Sequence, residues 1–294
     1  MHYLELFKRG FSDYGGYLWR EILWKNDPWY ENWFYWLIAL SLLVWGLEAW
    51  QPWRKGQSLF RRDFWLDGFY MFFNFFLFSL VGYNSLSMVG VNLFNDLLSN
   101  VFGIENLVAL EISSWAPWAK LLTMFLLVDF ISWWTHRLLH RVPFLWNFHK
   151  VHHSVKEMGF AAHLRYHWME NIVYKSIQYV PMAMIGFGIQ DFFIVHMFAV
   201  TIGHLNHANL GWDYGPLKYL LNNPKMHIWH HAKNQGNHRF GVNFGISLSA
   251  WDYLFGTNYI PHDGRDIELG YAGDELMPDT FIGQNLAPFD RSRN

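Results

Sequence analysis

The chain alternates between long apolar runs and polar stretches that carry histidine. Residues 33–50 (WFYWLIALSLLVWGLEAW) are nearly uncharged until Glu48, and Pro52 follows. A helix needs about 20 such residues to cross a bilayer, so this run reads as a first span. Residues 69–94 (FYMFFNFFLFSLVGYNSLSMVGVNLF) read as a second, with Gly82, Asn84 and Gly90 as candidate breaks or bends. A third starts near Trp118, passes through LLTMFLLVDFISWW and continues as helix into His136 and His140. Asp129 lies inside it, where an ionisable side chain is a functional candidate by default, or a hydrogen-bond acceptor. Residues 171–186 and 190–206 are shorter runs parted by Gly186-Phe187-Gly188, with Pro181 in the first. They read as a thin hairpin of two spans or a re-entrant pair. Residues 1–30 are aromatic and of mixed charge, which suits an interfacial helix or loop; they lack the basic-then-apolar order of a cleaved leader. Residues 208–294 are polar, rich in Gly and Asn, and soluble in character.

Charge gives these runs an orientation. Arg54, Lys55, Arg61 and Arg62 follow the first run, and Arg137, Arg141, Lys150, Lys156 and Arg165 follow the third. The 95–116 loop holds Asp96, Glu105 and Glu111 but no Lys or Arg. By the positive-inside rule the basic loops face the cytoplasm. One hairpin then returns the chain to that side for residues 227–231. The expectation is an all-α polytopic membrane protein, with about four transmembrane helices and a cytosolic helical cap carrying a His-rich dimetal site. A buried re-entrant hairpin satisfies the charges equally. Residues 1–116 read as an N-terminal membrane region, 117–262 as the catalytic part and 263–294 as a tail.

Composition agrees. The chain is 16% charged, against about 25% in soluble domains. It holds 18 Trp, 15 Tyr and 27 Phe, and amphipathic rings favour membrane interfaces. A net charge of −2 gives no reason to expect nucleic acid. With no cysteine, disulfides, iron–sulfur clusters and thiolate zinc sites are excluded. Any metal must be held by nitrogen and oxygen.

Histidine supplies the nitrogen. Residues 136–153 read HRLLHRVPFLWNFHKVHH and residues 227–231 read HIWHH, with His204 and His207 between. On a helix, residues three and four apart share a face. HxxxH and HxxHH therefore become combs of imidazole ligands, suited to Zn, Cu, Fe or Ni. Eight to ten ligands over-supply one ion and make two plausible. A ligating imidazole usually donates its other N–H to an acceptor. Asp129, Glu170, Asp213, Asp252, Asn206, Asn209 and Asn243 are candidates for that role.

HRLLH, HKVHH and HIWHH, in that order between apolar segments, resemble the three histidine boxes of the fatty acid hydroxylase/sterol desaturase superfamily of membrane di-iron oxygenases. LRYHWMEN resembles its Arg-x-His-Pro-x-Glu segment (Arg165, His167, Glu170), with Trp168 in place of the usual proline. HANLGWDYGPLKYLLNNPKMHIWHH resembles the approach to the last box. VNFGISLSAWDYLFGT resembles the closing motif, here Trp251, Asp252, Phe255, Gly256 and Thr257. The likeness covers about 120–260. It implies metal ligands at His136, His140, His149, His152, His153, His207, His227, His230 and His231, with His204 as a tenth. His163 and His167 would face substrate or make hydrogen bonds, alongside Arg165, Glu170, Asp129, Asn209 and Asp252. His2, His196, His238 and His262 are left structural or at the surface, with His238 the closest of the four to the site.

The resemblance further implies two iron ions (with zinc able to replace them), dioxygen, and a lipid substrate that is hydroxylated or desaturated. No flavin or cytochrome motif is fused, so the reductant would be a partner protein or a pterin. Other readings of the same combs are a haem-type electron carrier, a metal transporter, and a membrane protein that binds metal without oxidising anything.

Overall fold

The computed structural model describes residues 2–77, 86–103, 112, 114–185, 187 and 189–290. The anticipated breaks at Gly82 and Asn84, the acidic Glu105 and Glu111, and the Gly186 and Gly188 hinge lie outside the described residues.

Among those residues the chain is all-α, with eleven helices and two isolated β-bridges. In order they are α1 (His2–Ile22), α2 (Trp33–Trp50), α3 (Phe64–Phe72), α4 (Leu86–Phe102), α5 (Pro117–Arg141), α6 (Pro143–His153), α7 (Trp168–Ile185), α8 (Ile189–His207), α9 (Pro224–His230), α10 (Ala250–Leu254) and α11 (Phe281–Leu286). Gly90 does not break α4, which runs through it.

Only α2 among the described helices is both long and apolar enough to cross a membrane. α5, α7 and α8 match it in length, with 25, 18 and 19 residues, but carry more polar side chains. Those polar groups are the ones that build the interior. α8 packs against α2, α5, α9 and the short 160–164 turn. Leu37 of α2 meets Met197 and Val200 of α8, and Met124 of α5 meets Met182 and Val195. Glu48, buried near the end of α2, accepts the backbone N–H of Phe160 at 2.9 Å and of Asn209 at 2.6 Å. One carboxylate thus ties the apolar helix to two loops beside the histidines.

Two local features aim the histidine helices. α5 and α6 are joined through Val142, with Pro143 at the first position of α6, where its missing N–H costs nothing. The chain therefore folds back at once and α6 packs on α5. α9 is short and is started by Asn223, whose side chain accepts from Met226 N, with Pro224 at its first position.

The tail beyond residue 262 is docked on the core. Asp274 pairs with Lys156 and, at 3.2 Å, with Lys233. The carbonyl of Asn285 accepts from His167 Nε2 at 3.0 Å, and its side chain reaches the Tyr70 hydroxyl at 3.1 Å. Phe281 packs among Phe69, Tyr70 and Phe73.

Candidate metal centre

Nine imidazoles converge in two groups. His136, His140, His149, His153 and His230 form one, and His152, His207, His227 and His231 the other; within each, the ligand atoms lie within 4.8 Å of one another. The combs do not each grip one ion. A helix turns about 100° per residue, so His149 and His153, four apart, point within about 40° of each other, while His152 lies about 60° to the other side of His149. HKVHH therefore gives two rings to the first group and one to the second, and HIWHH does the converse, with His230 in the first and His227 and His231 in the second. These two boxes straddle both groups and hold them side by side, while HRLLH gives both its rings to the first.

Tautomers are fixed from behind. His136 Nδ1 faces the carbonyl of Phe244 at 2.8 Å, His152 Nδ1 that of Arg165 at 3.0 Å, His207 Nδ1 that of Gly203 at 2.8 Å, and His230 Nδ1 that of Val242 at 2.7 Å. His149 Nδ1 faces Glu170 Oε2 at 2.8 Å. A backbone carbonyl only accepts, so Nδ1 of His136, His152, His207 and His230 carries the proton and Nε2 of each presents a lone pair inward, while burial raises the Glu170 carboxyl beside His149 to about 8. Nε2 of His136 then meets Nε2 of His149 at 3.2 Å, and Nε2 of His152 meets that of His207 at 3.2 Å. Burial holds His136 down to about 4 and His152 to about 3, so neither ring supplies a second proton. Two lone pairs facing each other are repulsive unless a cation lies between them.

His140 Nε2, His153 Nε2, His230 Nε2 and both nitrogens of His231 are buried with no hydrogen-bond partner. Buried polar atoms are seldom left so. Orphaned lone pairs directed at common points, from neutral imidazoles, fit two borderline divalent cations.

The remaining candidates divide. Glu170 holds His149. Arg165 supplies its carbonyl to His152, while its guanidinium pairs with Asp63 at 2.8 Å and Asp67 at 3.3 Å. His163 lines a cavity beside both groups and sits over Gly203. His204 belongs to neither group: its two nitrogens meet Ser41 Oγ at 3.2 Å and the Phe160 carbonyl at 3.1 Å. His167 caps the start of α7, accepting from Met169 N at 3.1 Å.

Asp129 touches no histidine. It accepts from Ser247 N at 2.9 Å, Leu248 N at 3.2 Å and Trp251 Nε1 at 2.9 Å. Asp252 accepts from Trp133 Nε1 at 3.0 Å, Phe244 N at 2.9 Å and Gly245 N at 2.8 Å, so it aims the loop whose carbonyl orients His136. Asn209 is spent on Arg54. Of the other proposed acceptors, Asp213 caps Gly215 at the surface and Asn206 donates to the Ile246 carbonyl. Asn243, at φ +54, clamps Met226 and Tyr259 and turns the flanking carbonyls of Val242 and Phe244 toward the histidines.

Sequence reasoning misses those carbonyls, because every residue has one and only the fold decides which face a ring. It also leaves His196 as structural, whereas the structure puts it on the cavity wall. Treating the tail as a separate stretch misses its contacts with Lys156, Lys233 and His167.

The cavity, of about 170 Å3, runs from both histidine groups between α5, α7 and α8. His136, His149, His152, His207 and His227 form one end, and Val128, Val195, Ala199 and Val200 the apolar wall.

Residues 121–257 match the family model for fatty acid hydroxylase. Ornithine lipid hydroxylase OlsE of Rhizobium tropici is 30% identical over 167 residues, 56% of this chain and 49% of that protein. Alkylglycerol monooxygenase of Xenopus tropicalis is 32% identical over 168 residues, 56% of this chain and 36% of its own. The very-long-chain aldehyde decarbonylase GL1-6 of Oryza sativa subsp. indica is 26% identical over 171 residues, covering 54% and 24%. The chain thus spans between a quarter and a half of the length of these relatives. No solved structure matches it. Residues 121–257, just under half of the chain, carry all three histidine boxes and match a fatty acid hydroxylase domain.

Proposed function

We propose that the chain is a membrane-bound, metal-dependent oxygenase that hydroxylates a C–H bond of a lipid, using dioxygen and an external electron donor. The observation that carries this reading is the junction of two imidazole groups with one mainly apolar cavity. The nine histidines outside α2 and the aromatic face of α1 are read as a site on the cytosolic surface of about four spans, in a bacterial inner membrane or endoplasmic reticulum. His204 is read as a support of α8 against α2, not as a ligand.

Iron held at the two groups would supply the activation of dioxygen that an unactivated C–H bond requires. The chain's own residues do the rest. The carbonyls of Phe244, Arg165, Gly203 and Val242 fix the imidazole tautomers. Glu170 keeps His149 in place. The valine wall receives an alkyl chain and excludes water from the reacting end. Hydroxylation is favoured over desaturation because two relatives are named as a hydroxylase and a monooxygenase of lipids. A haem carrier is disfavoured by packing: imidazole centroids at 4.4 Å (His136–His230) and 4.3 Å (His207–His227) leave no slot for a macrocycle.

The test compares lipid extracts from cells with and without the gene by mass spectrometry. A lipid class gaining one oxygen supports the reading. A loss of two hydrogens instead points to desaturation, and an unchanged lipid profile contradicts both.

A further inference from the structure

The histidine groups are approached from a second side. A separate pocket of about 470 Å3 lies between the α5–α6 turn, the loop after α9 and the docked tail. It ends on His140 and His153, neither of which borders the lipid cavity. His153 is 2% exposed, and its Nε2 has no hydrogen-bond partner. Gly241, at φ +91, lets the 238–241 loop close over His140: a Cβ there would come within 2.9 Å of His140 Nδ1. The first histidine group therefore separates an oily cavity from a pocket of different chemistry.

That chemistry is cationic and aromatic. Arg141, Lys233 and Arg239 line the pocket, and no Asp or Glu does. Lys233 is neutralised by Glu268 and Asp274. Arg141 and Arg239 flank the Phe240 ring at 5.5 and 5.2 Å, and among the described residues neither pairs with a carboxylate. Trp146 and Tyr271 supply two further ring walls in edge contact. A concave site of this size suits a small molecule rather than a protein surface. Two unpaired guanidinium groups select an anion, phosphate or carboxylate, and the rings select a flat partner.

We propose that this pocket binds a small organic anion with a planar conjugated ring, and that such a molecule delivers electrons to the histidine groups. The electron role rests on the hydroxylase reading; the binding role does not. In that reaction a lipid C–H becomes C–OH, the second oxygen atom leaves as water, and the donor gives up two electrons and two protons. Substrate and donor would reach the centre from opposite sides without meeting.

The test uses the full chain in detergent, loaded with redox-inert zinc, and flavin mononucleotide as the probe, read by quenching of tryptophan fluorescence. Saturable quenching is expected. Riboflavin, which keeps the ring and lacks the phosphate, should bind at least about tenfold more weakly, and inorganic phosphate should compete. The double variant Arg141→Ala/Arg239→Ala should weaken the nucleotide about tenfold or more while keeping its zinc, which reports an intact fold. No saturable quenching up to about 1 mM overturns the proposal, as does equal affinity in the zinc-retaining double variant, or equal affinity for riboflavin. Lipid product from cells without nucleotide binding removes this pocket's role alone. Nucleotide binding without lipid product removes the hydroxylase reading and leaves the site.

Discussion

His136 and His149 face each other through Nε2 atoms 3.2 Å apart, while their Nδ1 atoms are committed to the Phe244 carbonyl and the Glu170 carboxylate. The Phe244 carbonyl only accepts, so His136 presents its Nε2 lone pair to His149. Facing nitrogens of this kind are compatible with a bound cation. His152 and His207 repeat the arrangement in the second group.

Glu170 orients one ligand of the first group only. Glu170→Gln keeps an acceptor for His149 Nδ1 but loses the ionisable carboxyl. Loss of such an outer partner weakens metal affinity by about 10- to 100-fold. Competition with a chelator should show one metal released at lower chelator concentration and the other unmoved.

Asp129 tests a different claim, that the carboxylate within α5 is a clamp. Its three hydrogen bonds fix residues 247–251, and hydrogen bonds to a charged acceptor contribute about 1.5–3 kcal/mol each. Asp129→Asn turns a donor toward at least one of those N–H groups and should cost about 2 to 4 kcal/mol, read as a lowered unfolding midpoint. Metal content per folded chain should stay the same.

Gly203 has no room for a side chain. A Cβ would lie 2.2 Å from the His163 ring, which is wedged against His204 and His207. Overpacking of this kind costs about 1–3 kcal/mol. Gly203→Ala should push His163 into the cavity and lower product formation about tenfold, with zinc still bound.

The docked tail should show a pH signature. Burial raises the Asp274 carboxyl, but hydrogen bonds from Lys156 and Lys233 outweigh it and hold the group below its ordinary 3.8. A depressed carboxylate adds stability above its unfolded pKa and loses it as pH falls through the folded value. Asp274→Asn should therefore be less stable than wild type at pH 7. The two should converge below about pH 3.8, as followed by thermal unfolding.

The parts of this site that were legible in the sequence are those written in side-chain type and spacing. HRLLH, HKVHH and HIWHH mark their helices, and Glu170 is found because LRYHWMEN resembles the family's Arg-x-His-Pro-x-Glu segment. The division of HKVHH and HIWHH between two groups was not legible, since it follows from how α6 and α9 are rotated against α5. His204 looks like His207 on paper; three residues apart on α8, one ring meets Ser41 of α2 and the other meets His152. The apolar runs marked α2, α5, α7 and α8, whereas the 69–94 run overlaps two separate helices, α3 and α4. Their polar members, such as Lys175 and His196, could not be assigned to an interior cavity rather than to a lipid-facing surface until neighbours were known.

Metal stoichiometry of the purified chain tests the central claim most directly. The wild type should hold two transition-metal ions per chain. His140→Ala/His153→Ala should remove one and leave the other, and His227→Ala/His231→Ala should do the same from the second group. A wild-type content of one or none, or a content of two that persists in both double variants, would contradict the account.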